Sequence, residues 1–105
     1  MRVVQIIDSL EVGGAEKMAV NYANVLSKRI EFSGLIASRK EGFLLNQVNQ
    51  DVNYLFLEKK SKIDLKSIFL VRNYIKKNKI DFIHAHSSSY FIAVLVKLTF
   101  FKVKI

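Results

Sequence analysis

The chain contains no cysteine and no proline, and only four glycines among its 105 residues. Without cysteine, disulfide staples, thiolate chemistry and cysteine-based zinc sites are excluded, and a reducing compartment such as the cytoplasm is favoured. A long apolar run is also missing. The longest beyond the N-terminus, Tyr90 to Phe101, is 12 residues broken by Lys97, against the roughly 20 a membrane helix needs. No span is predicted, and Met1 to Asp8 is too short an apolar stretch for a signal peptide.

What is present is a globular composition. Half the residues are apolar and a quarter are charged, which excludes collagen-like, mucin-like and disordered classes. The length suits one small domain at most. The net charge of +8 is uneven: residues 1–58 carry 6 basic and 7 acidic side chains, net −1, and residues 59–105 carry 11 and 2, net +9. A basic half suits nucleic acid, an anionic membrane face or phosphorylated substrates, and it equally suits an apolar protein kept soluble by lysine. No helix-turn-helix, RNP or zinc-finger pattern accompanies the charge, so no nucleic-acid partner is expected. The Lys59-Lys60-Ser61-Lys62 loop with Lys76, Lys77 and Lys79 marks the 59–79 region for peripheral contact with an anionic membrane.

Short apolar runs alternate with longer amphipathic ones. Val3 to Ile7 is a β-branched run without polar alternation, the pattern of a strand buried on both faces. After a loop from Asp8 to Gly14, the apolar positions Met18, Tyr22, Val25 and Leu26 recur at helical spacing between Ala15 and Arg29. Phe32 to Ser38 reads as a second strand, Phe43 to Val48 as a short helix and Val52 to Leu57 as a third strand. Asp64 is the expected N-cap of a helix from Leu65 to about Asn78, with Leu65, Ile68, Val71 and Ile75 inward. Ile80 to His84 reads as a fourth strand, Tyr90 to Phe100 as a buried helix, and Val103 to Ile105 as the beginning of a fifth strand. Strands joined by helices imply a Rossmann-like α/β unit, a parallel sheet with helices on both faces. Ligands of such sheets gather at the carboxyl ends of the strands.

Two segments fall at that edge. In the first, Gly13 and Gly14 precede a helix whose free amides and dipole suit a phosphate or diphosphate. The spacing is neither that of a P-loop nor GxGxxG, and a tight strand-to-helix turn would also account for the pair. Glu16 favours the helix dipole in the first turn, and it can alternatively accept from a sugar hydroxyl. In the second segment, Asp81-Phe82-Ile83-His84-Ala85-His86-Ser87-Ser88-Ser89, the two histidines point to one face of a strand. A metal pair, a polar strand end, and a ligand-facing cluster of His84, His86, Ser87 and Ser88 all remain open. The metal reading has no evident third ligand. No GxSxG elbow is present for a serine hydrolase.

Together these segments resemble glycosyltransferase family 4. The buried Val4-Gln5-Ile6-Ile7 strand, the Gly13-Gly14-Ala15-Glu16 helix start and the Asp81 to Ser88 segment are similar to that family's N-terminal signatures, and the resemblance runs from residue 1 to 105. It implies the N-terminal, acceptor-side domain of a GT-B enzyme, in part, with the fifth strand only begun. Such enzymes move a sugar from a nucleotide-sugar donor to a polysaccharide or lipid-linked acceptor. Gly13 and Gly14 would then lie near the donor diphosphate, and Glu16, His84, His86, Ser87 and Ser88 would serve substrate binding. The resemblance implies neither metal nor cofactor, the nucleotide sugar being a co-substrate. The donor domain, with its paired-glutamate motif, has no counterpart in these 105 residues, nor does the histidine that follows strand five. Transfer by this chain alone is therefore not expected. Other expectations are a cytoplasmic location, peripheral at the inner membrane face, and self-association through the edge strand and the apolar last helix. The alternative is a non-catalytic Rossmann-like module for anionic or membrane-surface ligands.

Overall fold

The computed structural model describes residues 1–60, 64–86, 93, 94, 97, 104 and 105. In chain order the elements are β1 (Arg2–Ser9), α1 (Gly14–Ser27), β2 (Phe32–Lys40), a 3-10 turn (Phe43–Gln47), β3 (Asn53–Phe56), α2 (Leu65–Lys77) and β4 (Phe82–Ala85). The four strands form one parallel sheet in the order β3-β2-β1-β4. The chain steps outward from β1 to β3 and then returns to the other side of β1. That reversal between β1 and β4 is the switch point at which open α/β sheets bind ligands. Beyond β4, Lys104 forms an isolated parallel bridge with Phe82, held by Ile83 N–H to Lys104 O at 2.7 Å and Lys104 N–H to Asp81 O at 2.9 Å. A fifth strand was expected there. Of the helix expected over Tyr90–Phe100, Ala93, Val94 and Lys97 are helical, and the rest lies outside the described residues.

The sheet is sealed on both faces, as the unbroken apolar run of β1 requires. Alternate side chains go to opposite sides. Val4 and Ile6 join Ile36, Ile83 and the α2 residues Val71, Tyr74 and Ile75. On the other side, Ile7 joins Leu35, Ala37 and the α1 residues Ala19, Val20 and Ala23. This is the Rossmann-like arrangement expected from the sequence.

α1 is rolled away from its expected face, and α2 keeps its expected face except at Leu65. On α1 the stripe of large apolar residues is not the buried one: Met18, Tyr22 and Val25 are 53%, 41% and 53% exposed, while Ala19, Val20 and Ala23 are buried. Small alanines let the helix backbone approach the sheet, and the larger side chains stand off to the flank. On α2 the expected cap holds, with Asp64 accepting from the Ser67 amide at 3.3 Å. The amides of Lys60 and Ser67 hold the Asp64 carboxyl below its ordinary range. Val71 and Ile75 face inward as expected and Ile68 packs at the margin, but Leu65 is 77% exposed. Tyr74 takes part of its place. Its ring lies against Phe32, and its hydroxyl donates to Asn53 O at 3.0 Å.

The strand limits also move. β1 continues through Ser9, with a register irregularity between Ile7 and Ser9. β3 is shorter than expected, and β4 begins at Phe82 because Ile80 still belongs to the turn that closes α2, its amide bonded to Ile75 O at 3.1 Å.

Candidate functional site

The carboxyl edge of the sheet carries both segments singled out from the sequence. The turn after β1 is pinned by backbone contacts: Leu10 N–H donates to Lys40 O at 3.1 Å, and Leu44 N–H to Leu10 O at 3.0 Å. Gly42 makes this closeness possible. A Cβ there would lie 2.6 Å from Leu10 O and 2.7 Å from Glu11 N, and neither backbone atom can yield without moving the turn. Nothing in the sequence pattern set Gly42 apart. Beside it, Asp8 accepts from Arg39 Nε at 2.9 Å, which ties the ends of β1 and β2 together.

Gly13 is the N-cap of α1, with φ −173 and ψ 169, an extended conformation any residue adopts. None of the four glycines has a positive φ. The backbone turn therefore does not require the glycine pair. Space distinguishes the two: a Cβ on Gly13 would meet the Glu16 carboxylate, with Oε1 at 2.5 Å, whereas a Cβ on Gly14 meets nothing within 4 Å among the described residues. Glu16 is thus folded over Gly13, and among the described residues the surface above Gly14 is open and no side chain caps the helix. The first-turn amides and the positive end of the dipole face this edge, a setting that attracts negative charge.

At the end of β4 the two histidines stack, with ring centroids 4.2 Å apart. Tyr22 from α1 approaches both, at 5.3 Å from His84 and 6.1 Å from His86. The roll of α1 that leaves Tyr22 on the flank is what brings it here. His84 is exposed, and His86 is buried. The buried ring donates from Nε2 to Gln5 Oε1 at 2.8 Å, and the His86 amide donates to Ile6 O at 3.0 Å. Burial, with a smaller push from the neighbouring His84, lowers the His86 pKa to about 4. His86 is therefore a neutral imidazole near pH 7, positioned by Gln5, and it supports the exposed ring of His84.

Gln5 and Tyr22 were not foreseen as site residues. A weak signal existed for Gln5, the one polar side chain inside the Val3 to Ile7 run, and it is only 1% exposed. A polar group so deep needs a partner, and His86 supplies one. Ser87 and Ser88 lie outside the described residues. Among the described residues no three histidine, cysteine or carboxylate side chains gather around one point, and no helix is long and apolar enough to cross a membrane. A separate groove of about 590 Å³ between β3 and α2, lined by Asn53, Tyr54, Tyr74 and Lys77 among others, opens near the amino ends of the strands, away from this edge.

None of the curated proteins compared with the chain matches it. The family model of Glycosyltransferase Family 4 matches residues 12–105, a span that starts in the turn before Gly13 and takes in α1, the whole of β4 and both histidines. With this match over most of its length, and with the parallel sheet and switch point that the fold provides, the chain belongs to glycosyltransferase family 4.

Proposed function

We propose that this chain forms the acceptor side of a glycosyltransferase that moves a sugar from a nucleotide-sugar donor to a polysaccharide or lipid-linked acceptor at the cytoplasmic face of a membrane. The observation that carries this reading is the start of α1 above Gly14, open and uncapped among the described residues, on the same sheet edge as the exposed His84. As the bond from the sugar's anomeric carbon to the diphosphate breaks, negative charge builds on the leaving oxygen. Helix amides and a helix dipole stabilise such charge at small reorganisation cost. The Glu16 carboxylate over Gly13 would repel a diphosphate, so it swings aside on binding and becomes free to accept from a sugar hydroxyl. His84, His86 and Tyr22 form a ring cluster against which an acceptor sugar can rest, with Ser87 and Ser88 continuing the chain from it. No residue is assigned as the catalytic base. The nucleotide itself is held by a second domain of GT-B type, so the 105 residues by themselves do not turn over, and neither metal nor cofactor takes part.

Gly14 provides the test, because a Cβ there meets nothing within 4 Å among the described residues. With the chain joined to a nucleotide-binding domain of this family, Gly14→Val is expected to leave the melting temperature nearly unchanged. Turnover should fall by a factor on the order of 100, the scale of losing one aligned stabilising contact. Calorimetric titration with a panel of nucleotide sugars reports the same loss in affinity. Unchanged turnover and affinity in that variant would remove the diphosphate from the α1 start.

A further inference from the structure

The groove between β3 and α2 lies away from the carboxyl edge and is built from side chains that the transfer reading leaves unused. β3 ends the sheet, so the groove opens sideways to solvent. Asn53 and Leu55 alternate onto the α2 side of that strand, and Leu70, Asn73 and Lys77 follow at helical spacing on the facing flank of α2. Leu55 and Leu70 are half-buried and form an apolar floor against the core. Tyr74 closes the inner wall, its hydroxyl donating to Asn53 O at 3.0 Å. The Asn53 and Asn73 side chains are exposed, and among the described residues neither carboxamide makes a hydrogen bond. Lys76 and Lys77 line the groove as well, and no carboxylate is among its described lining residues. Its volume of about 590 Å³ lies in the range of small-molecule sites.

We propose that this groove is a second saccharide site, for a pyranose ring that carries a carboxylate, as a uronic acid does. A sugar ring has an apolar C–H face and a belt of hydroxyls. Leu55 and Leu70 suit the face. A carboxamide offers two donors and an acceptor in one plane, which matches neighbouring hydroxyls that both give and take hydrogen bonds. Asn53 and Asn73 supply one such group on each wall. Lys76 and Lys77 then meet the carboxylate through charge-assisted hydrogen bonds. The lysines alone would carry no such meaning, since cations in the last turn also complement the helix dipole. Their place beside two unengaged carboxamides and a half-buried leucine pair is what points to a ligand. An acyl chain in the groove would leave both amides unpaired. The use of the site rests on the transferase reading: roughly a strand's length from Gly14 and His84, it holds a part of an acidic acceptor already made while the growing end lies at the carboxyl edge.

The test is an NMR titration of the nitrogen-labelled chain with tetragalacturonate and, in parallel, with cellotetraose, a neutral saccharide of the same length. With tetragalacturonate the backbone amides of residues 53–55 and 70–78 are expected to shift, while those of Gly14 and His84 stay in place. Cellotetraose should bind on the order of tenfold more weakly at low salt, the scale of one hydrogen bond to a charged group. Asn73→Ala should lower the affinity for both saccharides about fivefold, the loss of one neutral hydrogen bond. Lys76→Gln with Lys77→Gln should erase the preference and leave the affinity of the neutral saccharide. All three side chains are exposed, and amide signals unchanged away from the groove verify that the variants fold. No shifts at millimolar tetragalacturonate, equal affinity of the unaltered chain for the two saccharides, or binding that survives both variants overturns the proposal. So do shifts centred on Gly14 and His84, which would assign the saccharide to the carboxyl edge. No donor enters the titration, so the two readings fail separately. Groove binding beside a Gly14→Val enzyme of unchanged turnover removes the diphosphate site alone, and a silent groove in an enzyme that Gly14→Val disables removes the second site alone.

Discussion

At the scale of single residues, two positions, Gln5 and Gly42, decide how the carboxyl edge of the sheet is built. Gln5 sits in the central strand and fixes the ring of His86 through the 2.8 Å hydrogen bond, leaving His84 as the exposed member of the pair. The buried imidazole gives a measurable pH dependence. Its pKa falls from 6.5 to about 4 on folding, so between those values the unfolded chain binds the proton and the folded chain does not. Stability is therefore complete above pH 6.5 and declines as the pH drops towards 4. The expected loss is about 1–2 kcal/mol, less than the full shift because the ring cluster borders solvent. Urea unfolding at a series of pH values should show this slope, and His86→Gln should flatten it. A slope unchanged in that variant would place the titration elsewhere. Gly42 acts through space: by lacking a Cβ it lets the turn after β1 close on the turn after β2. The glycines legible in the sequence, Gly13 and Gly14, proved to be conformationally ordinary, and they differ in space: Glu16 covers Gly13, while among the described residues the surface above Gly14 is open.

Among the elements, the strands were the more legible. A β-branched run such as Val3 to Ile7 has few ways to hide its side chains, and a strand covered on both faces is the direct one. Helix limits followed from capping chemistry, as Asp64 illustrates. Helix faces were harder to read, because helical spacing reports which side chains align but not which aligned set meets the sheet. α1 chose its alanines over its larger residues to come close to the strands. α2 adds Tyr74 to its expected inward face because β2 offers it a cleft: at Gly34, a Cβ would run into the Tyr74 hydroxyl and lie 3.1 Å from both Phe32 and Val4. Gly34→Ala is accordingly expected to destabilise the protein by about 1–3 kcal/mol, the usual cost of overpacking. Tyr74→Phe in the same background should recover part of that loss in thermal melts, since it removes the colliding oxygen. Absence of any recovery would mean that Phe32 and Val4 carry the strain instead.

At the scale of the whole molecule, β1 is the common support. It pairs with β2 on one side and β4 on the other, and its side chains enter the packing on both faces of the sheet. Truncating Ile6, which is fully buried, to alanine should cost about 2–5 kcal/mol. The loss should appear as one shifted cooperative transition, seen alike by circular dichroism and by tyrosine fluorescence. Two separate transitions would show that the α1 and α2 layers are held independently. The sequence by itself determined the class of the fold, the parallel sheet with covered faces, the capped start of α2 and the two segments at the carboxyl edge of the sheet, because these depend on local pattern and on the short reach of backbone hydrogen bonds. Only the tertiary structure decided that Tyr22 leaves the core to join the histidines, that Gln5 and Gly42 shape the site from a distance in the chain, and that Leu65 and Phe69 face outward. Those outcomes depend on how closely a helix can approach a sheet, and that distance is set by side chains far apart in sequence.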